Sequence, residues 1–186
     1  MKCDPEATDP INSYALVSYI PGSIGDFITD LRQELVETCV ARSHVSILPP
    51  RSLDDPQAAA EQVRSIIETF SPFELDMPKI GTFKQTAVIF CEIGRGREQL
   101  VELHAAMNTG ALYFDEPFDY HPHVTLAQGF PVEQLFPLLD RIQERWLAAP
   151  STQVLIENVT FVQNTAGNIW LDLEESWLRG LAGVPR

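Results

Sequence analysis

The strongest constraint in this chain is a pattern that occurs twice. His44-Val45-Ser46-Ile47 and His123-Val124-Thr125-Leu126 lie 79 residues apart, and the segments around them recur in the same order. Ahead of His44, residues 25–40 place Phe27, Ile28, Leu31, Leu35 and Val36 at helical spacing. Behind it, Asp54 or Asp55 followed by Pro56 predicts a capped helix over 56–70, then strands over 73–83 and 86–93. Ahead of His123, residues 97–107 read as a helix stopped at Asn108-Thr109-Gly110. Behind it come a helix over 131–147 and strands over 153–163 and 167–173. Adding 79 to the elements of the first set lands close to those of the second, so one unit is used twice. A strand over 13–20 precedes the first unit, residues 1–12 with Pro5 and Pro10 read as a loose tail, and the chain ends in a short turn or helix. The expected fold is α+β, with two pseudo-symmetric lobes of mainly antiparallel sheet flanked by helices. The active-site cleft then lies between the lobes, with one histidine from each.

The repeated tetrapeptides carry the chemistry. SHVSIL (43–48) and HPHVTLAQ (121–128) read as strands, the first ending at Pro49-Pro50. Side chains alternate along a strand, so His44 and Ser46 share one face, as do His123 and Thr125, while Val45, Ile47, Val124 and Leu126 anchor the other. Each strand thus offers one imidazole and one hydroxyl. A phosphodiester reaction without metal needs a base on the attacking oxygen and an acid on the leaving oxygen, roughly in line. Imidazole serves in either form near neutral pH, and hydroxyls can hydrogen-bond the non-bridging oxygens. One His-x-Ser is weak evidence; two, at matching places in a duplication, are not.

Composition narrows the partners. The net charge of −13 opposes broad binding to duplex nucleic acid, which rests on Lys and Arg at phosphates. The charge is uneven: residues 1–41 carry two basic and seven acidic side chains, 42–97 seven of each, and 98–186 four and twelve. The neutral segment holds Arg42, Arg51, Lys79, Lys84, Arg95 and Arg97, which form either a local anion site or an ordinary solvated face. An acidic shell with a focused site suits a small ligand or an RNA end. The 186 residues, 45% apolar, can bury a core in one domain, and no run approaches the roughly 20 apolar residues of a membrane helix. The N-terminus lacks a secretory pattern, so a cytoplasmic protein is expected, without membrane partners and monomeric. Cys3, Cys39 and Cys91 are too scattered for a metal or disulfide framework and read as reduced thiols, two of them in the core.

Several residues near the motifs keep more than one reading. His121, two before His123, can share its face as an orienting group or be part of a His-x-His metal fragment; with four histidines in the chain and no carboxylate in the motif strands, no metal site is expected. Arg51 can reach a phosphate or sit in solvent. Tyr14, Phe83 and Tyr120 can stack on a base or pack in the core. His104 is expected to be a surface or packed residue, and Asp115, Glu116 and Asp119 a solvated loop.

The runs HVSILPPR (44–51) and HPHVTLAQ (121–128) resemble the His-x-Thr/Ser-x signature of the two-histidine (2H) phosphoesterases, which include 2′-5′ RNA ligase-like proteins and RNA 2′,3′-cyclic phosphodiesterases. The resemblance covers about residues 13–174. It implies a metal-independent, cofactor-free phosphoesterase of RNA processing, with two intertwined lobes and catalytic residues His44, Ser46, His123 and Thr125. Ser46 stands where threonine is commoner and keeps the hydroxyl. The substrate implied is a 2′,3′-cyclic phosphate or 2′-5′ linked nucleotide or RNA end, with Arg51, His121 and Tyr120 as candidate substrate contacts. His123 is assigned the base and His44 the acid. A nucleotide-binding module without turnover, and a divalent-metal hydrolase, are the alternatives.

Overall fold

The computed structural model describes residues 8–36 and 41–180. Cys3, Cys39, the first seven residues of the expected tail, residues 37–40 of the expected first helix and the last six residues lie outside them. The described chain runs β1 (Pro10–Tyr19), α1 (Gly22–Leu35), β2 (His44–Arg51), α2 (Pro56–Ile67), β3 (Phe73–Asp76), β4 (Lys79–Phe83), β5 (Val88–Glu92), α3 (Arg97–Met107), β6 (His123–Ala127), α4 (Leu135–Trp146), β7 (Gln153–Ile156), β8 (Asn158–Thr165) and β9 (Trp170–Trp177). Seven strands form one sheet in the order β4-β5-β6-β2-β1-β8-β9, and β3 pairs with β7 in a separate ribbon. Every pairing is antiparallel. The fold is therefore α+β with mainly antiparallel sheets and four helices.

The duplication is visible in this order. β2 and β6 are adjacent at the centre, β1 and β5 flank them, and β8 and β4 come next. The unit β1-α1-β2-α2-β3-β4 thus matches β5-α3-β6-α4-β7-β8, leaving β9 as an extra edge strand. This corrects the sequence alignment of the two halves, which matched 86–93 with 167–173. Pairing decides it, because β5 lies against the motif strand β6 as β1 lies against β2.

Two expected strands are each two strands. The 73–83 stretch breaks at Met77-Pro78, and 153–163 breaks at Glu157. In both halves the first piece joins the small ribbon and the second joins the main sheet. Conversely, β2 does not stop at Pro49-Pro50 but continues to Arg51, which registers with Tyr14. Proline lacks a ladder donor and is tolerated where one side of a strand is unpaired. β2 offers such a side, because its register with β6 is confined to Val45↔Val124. β1 begins at Pro10, inside the expected tail.

All four helices cover one face of the main sheet. Ile24, Ile28 and Leu31 of α1, Val63 and Ile67 of α2, Leu100 and Leu103 of α3, and Leu138 and Ile142 of α4 are buried in one core with Val45, Ile47, Val124 and Leu126. The pairing of helices with strands is crossed: α1 of the first half packs against β6, and α3 of the second half packs against β2. The Asp55 side chain accepts from the Ala58 amide at 3.0 Å ahead of Pro56, a cap worth about 1 kcal/mol. Cys91 is a free thiol inside the core. Among the described residues no helix is long and apolar enough to cross a membrane.

Candidate functional site

The face of the sheet that the helices leave uncovered carries the repeated motif. Val45 and Val124 are wholly buried, whereas His44, Ser46, His123 and Thr125 are all partly exposed. Continuing the Val45↔Val124 register sets His44 opposite Thr125 and Ser46 opposite His123. The four side chains stand at the corners of a small parallelogram with the two imidazoles on a diagonal. A strand separation of about 4.8 Å and a rise of about 6.7 Å over two residues put the two histidine Cβ atoms roughly 8 Å apart. That is room for one tetrahedral anion between the rings.

Both imidazoles are held in the same way. His44 Nδ1–H donates to the Arg42 carbonyl at 2.7 Å, and His123 Nδ1–H donates to the His121 carbonyl at 2.7 Å. A carbonyl can only accept, so each ring keeps its proton on Nδ1 and presents Nε2 as a lone pair when neutral, or as an N–H donor when charged. Burial pulls His44 down to about 4; the Arg42 carbonyl opposes this, and the Arg32 cation and His123 add to it. His123 is also lowered by burial, with the His121 carbonyl opposing; the His121 ring lowers it further, and Glu92 raises it.

The surroundings of the two rings differ. Beside His44, Tyr19 of β1 lies edge-on with centroids 6.5 Å apart. The Arg42 guanidinium sits 3.8 Å above the Tyr19 ring and 3.5 Å from Asp172, which also accepts from the Tyr19 hydroxyl. A pocket of about 180 Å³ opens there, lined by Tyr19, Arg42, Asn158, Asp172 and Glu175 among others. Beside His123, Phe83 and Phe90 lie 5.2 and 5.1 Å from its ring centre. Gly81 makes this packing possible, since a Cβ there would come within 2.8 Å of the Phe90 ring. Glu92 registers directly with His123 and pairs with His121 at 3.2 Å.

Not every candidate from the sequence reaches this face. Arg51 is buried, and its guanidinium is spent on Glu116 at 2.6 Å, Asn108 Oδ1 at 2.7 Å and the Leu112 carbonyl at 2.8 Å. It neither touches the motif face nor sits in solvent; it ties β2 to the loop after α3. Glu116 is accordingly a partly buried partner and not part of a solvated loop. Tyr120 is turned inward, its hydroxyl on the Ser46 carbonyl at 2.7 Å and its ring stacked 3.9 Å from His104. Tyr14 is buried against Phe161. His121 and Phe83 do lie beside the motif. Of the cations in the neutral segment, Arg42, Arg51 and Arg95 each face a carboxylate of their own. Among the described residues, no three His, Cys, Asp or Glu side chains are grouped to hold a metal.

Sequence reasoning missed Tyr19, Arg32 and Glu92. Tyr19 and Glu92 end strands that flank the motif strands, and the alternation of β5 had the signal for Glu92 once its partner was known. Arg32, on α1, is buried and donates to the Thr125 carbonyl at 3.0 Å; nothing in the helical pattern marks it.

Solved structures share this architecture. Crystal structures of a phosphoesterase (TM-score 0.65, 16% identity, 91% of this chain and 99% of that one) and of Escherichia coli LigT with 3′-AMP (0.63, 16%, 91% and 99%) superpose on nearly the whole chain. So does E. coli LigT with phosphate (0.60, 15%, 92% and 99%). A protein of Halalkalibacterium halodurans named as a phosphoesterase is 27% identical over 103 residues, 54% of this chain and 60% of its own length. One of Oceanobacillus iheyensis with a similar name is 27% identical over 84 residues, 45% and 49%. The chain spans about half to three-fifths of these curated relatives. The fold and the doubled histidine motif define the class of 2H phosphoesterase-like proteins. A family model for the 2′-5′ RNA ligase superfamily matches residues 20–168, and the chain belongs to that family.

Proposed function

We propose that this protein is a metal-independent phosphoesterase that opens 2′,3′-cyclic phosphates or 2′-5′ linkages at nucleotide or RNA ends. The observation that carries the reading is the pair of identically tethered imidazoles, each with Nε2 on the uncovered face and a hydroxyl beside it. The family relationship supports the reaction class, and the phosphate and 3′-AMP bound by LigT support a nucleotide phosphate as ligand.

For a 2′,3′-cyclic phosphate, one neutral Nε2 takes a proton from water as the water oxygen bonds to phosphorus. The P–O3′ bond breaks, and the second Nε2–H gives its proton to O3′, leaving a 2′-phosphate. Ser46 and Thr125 hydroxyls bind the non-bridging oxygens. His44 is the more strongly depressed of the two rings, pulled down to about 4 mainly by burial, which favours it as base; His123, lowered by burial and by the His121 ring but raised by Glu92, is then the acid. This runs opposite to the assignment made from the sequence, and bound phosphate favours the charged form of both rings.

The test is an activity panel in excess chelator over 2′,3′-cyclic mononucleotides, 2′-5′ oligonucleotides, RNA ends and ADP-ribose cyclic phosphate, with His44→Ala and His123→Ala as controls. Turnover that survives chelation and is lost in both variants is expected. Binding without turnover by the wild type would identify a non-catalytic module instead, and loss of activity on chelation a metal hydrolase. Bis(4-nitrophenyl) phosphate assigns the roles, since its leaving group needs no proton. His123→Ala should recover activity on it and His44→Ala should not; the reverse restores the sequence-based assignment.

A further inference from the structure

We propose that Arg32 and Tyr120 are positioning residues: each reaches from its own half of the duplication to the backbone carbonyl of the other half's hydroxyl residue, and together they fix the spacing of the two histidine strands. The proposal rests on the phosphoesterase reading for its kinetic consequences, though not for its geometry.

The need for such a device follows from the sheet. β2 and β6 carry the whole site, yet their register is confined to Val45↔Val124. One registered pair leaves two strands free to pivot, and a shift of about 1 Å between reacting groups can cost about 10²-fold in rate. Two side-chain bonds sit just past that pivot. Arg32 Nη1–H of the first half donates to the Thr125 carbonyl at 3.0 Å. The Tyr120 hydroxyl of the second half donates to the Ser46 carbonyl at 2.7 Å. The first follows from the crossed packing, since α1 lies behind β6, and the second reaches from the segment that leads into β6. His104 of α3 backs Tyr120, stacking flat on its ring and donating Nδ1–H to the Ile47 carbonyl at 2.8 Å. Burial pushes the Tyr120 phenol above its ordinary value, so it remains a donor throughout the working pH range.

The two clamps are alike in geometry and unlike in charge. Tyr120 is neutral, whereas Arg32 brings a fixed cation near His44. The groups that act on His44 are Tyr19 from β1 and His123 from β6 on its own face, Arg32 of α1 from behind the sheet, and Arg42 on its own segment. None of these is a carboxylate; Asp172, beyond Tyr19, is engaged with Tyr19 and Arg42. Arg32 therefore has a second consequence that Tyr120 lacks: it opposes protonation of His44.

The experiment compares Tyr120→Phe, Arg32→Gln and Arg32→Lys with wild type. Tyr120→Phe keeps the ring stacked on His104 and removes only the hydroxyl, so it remains informative if Arg32→Gln fails to fold. On the best substrate of the panel, Tyr120→Phe and Arg32→Gln should lower kcat about 10- to 100-fold with KM little changed, and Arg32→Lys should recover most of the loss. NMR titration of the imidazole nitrogens gives a readout that needs no turnover. Arg32→Gln should move the His44 titration to higher pH, Arg32→Lys should return it, and Tyr120→Phe should leave it in place. Wild-type kcat in Tyr120→Phe, or losses that only track unfolding by circular dichroism, would overturn the proposal. An inactive wild type whose His44 still responds to Arg32 in this way would fail the functional reading while supporting the placement of Arg32.

Discussion

Both halves hold their histidine below the ordinary imidazole value, but the charged neighbours of His44 all oppose a positive charge, whereas those of His123 are divided, His121 opposing it and Glu92 supporting it. The two motifs are otherwise near copies, down to a 2.7 Å tether from Nδ1 to the carbonyl two residues back. Arg32 and the Arg42–Tyr19 stack stand on one side; Glu92, His121 and a pair of phenylalanines stand on the other. Duplication supplies two chemically equal groups, and an acid–base reaction needs two unequal ones. Here the inequality lies in the side chains around the motif, which the duplication left free to diverge.

The comparison can be broken most severely at the rings themselves. His44→Ala and His123→Ala should each lose at least about 10³-fold in kcat/KM on a 2′,3′-cyclic nucleotide, with melting temperatures close to wild type. Two variants differing by orders of magnitude from each other on such a substrate would mean that the halves do not share the work.

The next effect concerns the brace on β2, which Arg51 and Glu116 form between the two halves. Glu116→Gln strands a buried guanidinium and should cost about 3 kcal/mol in chemical denaturation. Arg51→Met should leave the salt dependence of KM unchanged, because the guanidinium is not on the motif face.

A smaller effect tests the hydroxyls as a symmetric pair. Ser46→Ala and Thr125→Val should each lower kcat about 10- to 100-fold, with the double variant near the product of the two. A loss confined to one would show that a single non-bridging oxygen is held.

The remaining effects are in pH. His44 is held well below the ordinary imidazole value, at about 4, so the unfolded chain takes up its proton first. Its contribution to stability is therefore complete above about pH 6.5 and is lost as pH falls towards 4, a slope that His44→Gln should remove. Glu92 raises His123, so Glu92→Gln should lower the His123 titration and move the basic limb of the kcat/KM profile to lower pH. Nitrogen-detected NMR separates the two rings, and an unmoved His123 would remove the electrostatic difference between the halves.

Much of this was legible early because it depends on local period. Alternation in HVSI and HVTL put His44 with Ser46 and His123 with Thr125, and the apolar spacing of 97–107 gave α3 its observed limits. The breaks at Pro78 and Glu157 were not legible, since either stretch makes a plausible single strand until β3 and β7 pair with each other. Arg51 read as either a phosphate contact or a solvent-exposed cation because nothing nearby in sequence announces Glu116, 65 residues on.

The sequence by itself determined that two like strands would each offer an imidazole and a hydroxyl, because side-chain alternation is a property of any extended backbone. Tertiary structure alone decided that these strands lie side by side, that Arg32 and Tyr120 cross between the halves, and that Arg32 acts on one ring and Glu92 and His121 on the other. Those outcomes depend on contacts between residues far apart in the chain, and burial and charge act through space, whatever the order of residues along it.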